Sequence, residues 1–335
     1  MNTVDLIGVT RALVDIDSTT GREEAVGRWL SRYLRALGYD VAEQPVDSGR
    51  FNIVATLGQP EVVFSTHFDC VPPFFPSRID GDRIYGRGAC DAKGILVAQV
   101  AAVEQLRAEG EMRVGLLFVV GEERGSDGAR AANADAAHSR FLVDGEPTDN
   151  RLALATRGLL RLRLHATGRA AHSSSPELGE SAIDKLIDAV VDLRAIALPR
   201  DPFFGETTYT IGLIHGGIAP NVVSPSAAAE LTFRTVSDAS DVIRAIGVLE
   251  PAVQVEHLHE VPPARMLTLP GFETAVFPYT TDIPFLTNWG QPLLYGPGSV
   301  HVAHTAEESI AVTDLTAAVG GNVRIARALL VRETG

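Results

Sequence analysis

Apolar positions follow two different rhythms along this chain, and the change falls near residue 157. In the first part, Leu6, Ile7, Leu13, Val14 and Ile16 predict an amphipathic helix, and a second helix runs from about Glu23 to Leu37, closed by Gly38. The runs at 51–58 and 61–66 predict strands, as do 112–120 and 140–144. Asp80-Gly81 between short alternating runs at 78–86 predicts a hairpin. The stretch 92–110 is apolar on most sides and predicts a buried helix. Nearly all-apolar strands alternating with helices imply a mainly parallel sheet covered by helices on both faces.

Beyond residue 157 the order becomes strand (159–166), helix (180–194), strand (207–214), strand (227–235), helix (239–249) and strand (252–258). That β-α-β-β-α-β order predicts an antiparallel sheet with both helices on one face, a ferredoxin-like unit. Pro262-Pro263 closes it, and a last helix reaches about Val331. The reading is therefore an α/β catalytic domain in two parts, 1–156 and 264–335, with an α+β lid and dimerisation domain inserted at 157–263.

Composition narrows the function. A chain of 335 residues with 45% hydrophobic content and mean hydropathy of +0.10 has material for two cores. The net charge of −13 argues against nucleic acid, which needs clustered Lys and Arg. Cys70 and Cys90 are the only cysteines, too few for a disulfide framework and suited to a reducing compartment. No signal peptide or membrane-length apolar run is visible, so the expectation is a cytoplasmic protein.

The chemistry gathers at strand ends. The run "FST" leads into His67-Phe68-Asp69, "VGLLFVV" into Gly121-Glu122-Glu123, and "RFLV" into Asp144-Gly145-Glu146. Parallel strands put these ends on one edge, where open α/β sheets bind ligands. Asp91 and His304 are placed to join them. Any one such strand end is usually a solvated loop. Three together, without basic neighbours, need protons or a cation to offset their repulsion. His, Asp and Glu ligands without cysteine suit Zn²⁺, Co²⁺ or Mn²⁺.

The motifs "THFDCVP", "YGRGACDAKG", "GEERGS", "DGEPT", "GRAAHSSSPELG", "GGIAPNVVSPSAAAELTFR" and "GPGSVHVAHTAEE" occur in that order over residues 66–308. Together they resemble the dinuclear zinc amidohydrolases, the family of acetylornithine deacetylase, succinyl-diaminopimelate desuccinylase, aminoacylase and glutamate carboxypeptidase. The resemblance implies that His67, Asp91 and Glu146 hold a first metal ion. It implies that Asp91, Glu123 and His304 hold a second. It gives Glu122 the role of general base, with Asp69 behind His67. His172 would hold the substrate carbonyl oxygen, and Asn221 and Arg234 would lie near a substrate carboxylate. Thr66, Ala92 and Ser224-Pro225-Ser226 depart from the family pattern, and none of them is a metal ligand.

The implied activity is zinc-dependent amide hydrolysis. An acetylornithine deacetylase-like deacylase of N-acyl amino acids with a free carboxylate is the leading expectation. A di- or tripeptidase or carboxypeptidase using the same site is the alternative, and a non-catalytic metal-binding protein the alternative of another class. A homodimer through the lid domain is implied, without nucleic-acid or membrane partners. His301 competes with His304 for the ligand role, while His138, His165, His215, His257 and His259 read as structural or surface residues.

Overall fold

The computed structural model describes residues 4–135 and 139–332, so His138 lies outside the described part. The chain opens with helices α1 (Leu6–Val14) and α2 (Glu24–Ala36). Strands β1 (Asp40–Asp47), β2 (Arg50–Thr56) and β3 (Val62–His67) follow, then helix α3 (Gly94–Ala108). Strand β4 (Val114–Val119), helix α4 (Asp127–Ala134) and strand β5 (Phe141–Asp144) complete the first part. The inserted part contains β6 (Gly158–Thr167), α5 (Ala182–Leu193), β7 (Thr208–Gly216), β8 (Ser226–Thr235), α6 (Ala239–Ile246) and β9 (Gln254–Val261). The chain then adds β10 (Gln291–Leu294), β11 (Ser309–Ala311) and α7 (Val312–Leu330). These elements form two compact units, one of residues 1–154, 266–275 and 281–335, the other of residues 155–265 and 276–280.

The first unit is built on a six-stranded sheet of order β1-β2-β4-β3-β5-β10. The four strands β4, β3, β5 and β10 run parallel, whereas β2 is antiparallel to both its neighbours. Alternation along each strand divides the core in two. Val62, Phe64, Leu116, Phe118 and Val143 face a cluster that includes Leu96 and Val100 of α3 and Leu315 and Leu329 of α7. Val63, Leu117, Val119 and Leu142 face the opposite way, against Ala129 and Ala132 of α4 and against Leu286 and Trp289. Each fully buried Val, Leu or Phe contributes about 1.5–3 kcal/mol, so the parallel strands are fixed from both faces. The expected α/β class is observed.

In the second unit the sheet order is β7-β8-β6-β9, all antiparallel. Leu160, Leu162 and Leu164 of β6 pack with Leu231 and Phe233 of β8 beneath Leu186 and Leu193 of α5 and Val242 and Ile246 of α6. The other face is polar, and Arg163 there pairs with Glu230 at 2.8 Å and Glu256 at 2.9 Å. This is the ferredoxin-like arrangement read from the strand–helix order.

Two elements carry no strong pattern in the sequence. β1 is an edge strand with a polar, partly exposed sequence and Pro45 within it, so its apolar alternation is weak. α4 is eight residues of mostly small side chains. The buried helix also starts later than its apolar run. Residues Ala89–Lys93 form a distorted turn before it, with Asp91 at φ −126 and ψ 90. Among the described residues, no helix is long and apolar enough to cross a membrane.

Candidate metal centre

The carboxyl ends of β3, β4 and β5 deliver His67, the Glu122–Glu123 pair and Glu146 to one edge of the first unit. β3 ends on His67 itself. β4 leads through Val120 and Gly121 to a short turn, Glu122–Arg124. Gly121 has φ +75, and a side chain there would press a Cβ within 2.5 Å of Arg50 Nη2. Only glycine fits that turn without displacing the arginine.

The side chains converge. His67 Nε2 lies 3.0 Å from Asp91 Oδ1 and 4.0 Å from Glu146 Oε1. The other Asp91 oxygen, Oδ2, lies 3.2 Å from His304 Nε2, which is 2.9 Å from Glu123 Oε1. Asp91 thus stands between two histidines, one on each carboxylate oxygen. Ligand atoms of His67, Asp91 and Glu123 lie within 4.8 Å of one another, and so do those of His67, Glu122 and Glu146. His304 adopts φ +63, an uncommon conformation outside glycine.

Asp69 is fully buried behind this group. One of its oxygens is 3.4 Å from His67 Nδ1, and the His67 ring also meets the Asp69 carbonyl at 3.1 Å. The same carboxylate accepts the N–H groups of Glu122 (3.1 Å) and Glu123 (3.3 Å) and the Thr20 hydroxyl (2.8 Å). It orients three candidate site residues at once.

The electrostatics call for a cation. Burial pushes the Glu122 and Glu146 carboxyls well above the usual range, and neighbouring acids push them further. Burial also raises Glu123. Hydrogen bonds from its ring to the Asp91 and Glu123 carboxylates lift His304 to about 10. Burial would lower His67, but its bonds to Asp69 and Asp91 outweigh that and raise it well above 6.5. Protons therefore fill the site where the acids would otherwise repel, and divalent ions do the same work with His and carboxylate ligands deprotonated. The donor set fits two such ions.

Further acids lie here that the motifs did not single out. Asp282 is buried, and burial together with the nearby Asp144 charge raises it to about 7. Burial raises Asp144 to about 6. Glu308 is fully buried and accepts from three backbone N–H groups around Asp91. Asp282 lies in "TTDIP", where no periodicity or spacing signals a site, whereas Glu308 is the last acid of "AHTAEE". His301 is exposed, and its N–H turns to Ser299 Oγ at 3.5 Å, while His304 takes the place beside Asp91 and Glu123.

In the second unit, His172 and Asn221 are neighbours on facing segments. Ser173 N–H donates to Asn221 O at 3.0 Å, and His172 pairs with Val222. Ser174 N–H donates to His172 Nδ1 at 3.2 Å, which leaves Nε2 to carry the proton of the neutral ring. Arg234 is not brought to them. It pairs with Leu159 at the start of β6, whereas His172 follows the end of that strand. From Ser226 to Arg234 the strand alone spans about 27 Å at roughly 3.4 Å per residue. Arg234 is half-buried, has no carboxylate partner among the described residues, and is held below its usual range by burial and by Arg161.

Comparison with known proteins agrees with this geometry. Residues 63–328 match the sequence pattern of peptidase family M20/M25/M40. A probable carboxypeptidase of Aspergillus clavatus is 37% identical over 380 aligned residues, covering 99% of this chain and 84% of the relative. A peptidase M20 domain-containing protein of Schizosaccharomyces pombe is 37% identical over 338, covering 96% and 84%. Among solved structures, a tripeptidase of Staphylococcus aureus superposes with a TM-score of 0.84 at 22% identity, covering 99% of this chain and all of that one. A metallo-carboxypeptidase of Sulfolobus solfataricus superposes with a TM-score of 0.78 at 16% identity, with the same coverage. These names favour peptidases over the deacetylase branch that the motifs put first. With acids and imidazoles gathered at the sheet edge and the family pattern spanning most of its length, the chain belongs to peptidase family M20/M25/M40 and is a metal-dependent amidohydrolase.

Proposed function

We propose that this chain is a metallopeptidase acting on short peptides with a free terminal carboxylate, a carboxypeptidase or a di- or tripeptidase. The observation that carries the proposal is Asp91 standing between His67 and His304, with Glu122, Glu123 and Glu146 around it. His67, Asp91 and Glu146 would hold one ion and Asp91, Glu123 and His304 the other, with zinc the first choice and cobalt or manganese the alternatives. When bound, such ions polarise a carbonyl and lower the pKa of water.

The protein's own groups do the rest. Among the described residues Glu122 accepts no side-chain hydrogen bond, and its raised carboxyl suits a base that takes a proton from water and passes it to the leaving amine nitrogen. Asp69 fixes the His67 ring and the Glu122–Glu123 backbone. His172 would donate from Nε2 to the carbonyl oxygen as it gains negative charge. Arg234, without an acidic partner among the described residues, would receive the substrate carboxylate. Asn221 would act beside His172.

Because His172 and Arg234 lie at opposite ends of one sheet, a small substrate cannot touch both in one chain. A homodimer in which the partner supplies His172 resolves this. The lid carries a surface suited to it: β7 is an edge strand, and Leu213, Ile214, Ile187 and Val191 are exposed. Buried, unpaired Cys70 and Cys90 suit a reducing, cytoplasmic setting.

Deacylation of N-acyl amino acids is the second reading, supported by "AHSSSPELG" and "GPGSVHVAHTAEE". The deciding experiment compares kcat/KM of zinc- and cobalt-loaded protein on dipeptides, tripeptides, N-acetylornithine and N-acetylmethionine, each with a free and an amidated carboxylate. Peptides with a free carboxylate should be cleaved fastest. A clear preference for N-acetylornithine would return the deacylase reading to first place, and equal rates on amidated substrates would remove the role of Arg234.

A further inference from the structure

Glu308 has the surroundings of an anchor. Its side chain is fully buried, and Oε1 accepts the N–H groups of Gly88 (2.9 Å), Cys90 (3.2 Å) and Asp91 (3.1 Å). Its other oxygen takes Arg87 Nη1 at 2.5 Å, and Arg87 is itself 2% exposed. Arg87 also donates from Nε to Pro73 O at 3.2 Å, and its guanidinium lies over the Phe75 ring at 5.0 Å. The Glu308 carbonyl accepts Gly86 N–H at 3.0 Å.

Three segments meet on this one pair. The first is the loop after Asp69. The second is the distorted turn that presents Asp91, which begins at Gly88 with φ +86 and turns its N–H groups towards a single point. The third is the segment carrying His304, four residues before Glu308 and tied down by β11 pairing with residues 83–85. A buried ion pair is a poor device for stability alone, since apolar residues of similar volume often do as well or better. Here it does something apolar residues cannot, which is to accept three backbone donors beside Asp91.

We propose that Glu308 is a positioning residue for the metal centre: its buried carboxylate locks the Asp91 turn to the His304 segment, so that both reach the second ion in fixed register. The proposal rests on Asp91 and His304 being metal ligands, as argued above. Removing the anchor leaves His67 and Glu146 on their strand ends and loosens the two ligands that share the second position.

The test is metal binding rather than turnover. Titrating metal-free protein with Zn²⁺ by calorimetry should give two ions per chain for the wild type. The double variant R87M/E308M, which replaces the pair with apolar volume but leaves the three N–H groups without their acceptor, should melt lower than the wild type, still in one cooperative transition, and bind the second ion roughly 10–100-fold more weakly, with the first less affected. E308Q, which keeps an acceptor oxygen, should fall between them. In metal-free wild type the amides of Gly88, Cys90 and Asp91 should exchange slowly with solvent, a measurement that stands whether or not the variants fold. Two ions bound with wild-type affinity by R87M/E308M, or fast exchange of those three amides, would overturn the positioning role alone. A wild type that binds fewer than two ions would overturn the dinuclear reading beneath it.

Discussion

The backbone N–H of Glu122 donates to Oδ1 of Asp69 at 3.1 Å, so the residue behind His67 also sets the turn that carries Glu122, the proposed base. The other Asp69 oxygen receives Glu123 N–H. Asp69→Asn keeps the volume but puts an amide N–H₂ where one acceptor oxygen was. The expected outcome is a fall in kcat of roughly 10–100-fold, with weaker binding of the ion at His67, checked by steady-state kinetics alongside zinc titration. Unchanged kinetics would make Asp69 a core residue and nothing more.

Glu122 and Glu123 are adjacent but face different partners, since only Glu123 meets His304. Glu122→Gln should keep its metal and lose roughly 10²–10⁴-fold in kcat. Glu123→Gln should lose metal. Metal analysis and turnover on the same preparations separate the two, and reversed phenotypes would exchange the roles.

His172→Ala should lower kcat far more than it raises KM, because its bond forms chiefly with the developing oxyanion. If the partner supplies His172, mixing His172→Ala with Glu122→Gln chains should regain activity that neither has alone. One intact site then forms per mixed dimer. Mixtures no more active than their components, once subunit exchange is shown, would place His172 in its own chain's site.

The buried Asp282 gives metal-free protein a definite pH signature. Its carboxyl is raised from 3.8 to about 7, by burial first and Asp144 second. Across that window the folded chain holds a proton that the unfolded chain has lost, so stability falls as pH rises. Below 3.8 the effect is absent, and above about 7 it is complete. Asp282→Asn should therefore melt higher than the wild type at pH 8 and level with it near pH 4, measured by calorimetry in chelator. A variant that melts lower at pH 8 would contradict this account.

Much of the site was legible because it depends on local rules. A strand buried on both faces needs an apolar run, and its parallel neighbours force all their carboxyl ends to one edge. His67, Glu122, Glu123 and Glu146 could be named for that reason, from where the apolar runs stop. The βαββαβ order of the inserted unit was equally plain, since helix and strand periodicities differ. β1 was not, because an exposed edge strand is under little pressure to alternate.

By itself, then, the sequence determined most of the elements, the parallel core, the ferredoxin-like insertion and the acid-rich edge, all of which follow from apolar period and chain order. Tertiary structure alone decided the rest. It put Asp91 between two histidines that are 237 residues apart in sequence, His67 and His304. It buried Glu308 under the Asp91 turn and set Asp282 close to Asp144. It also separated Arg234 from His172 along one strand pair. The reason is physical: a periodic pattern records which face of an element is buried, whereas a hydrogen bond between distant segments depends on where the folded elements bring them, and leaves no period to read.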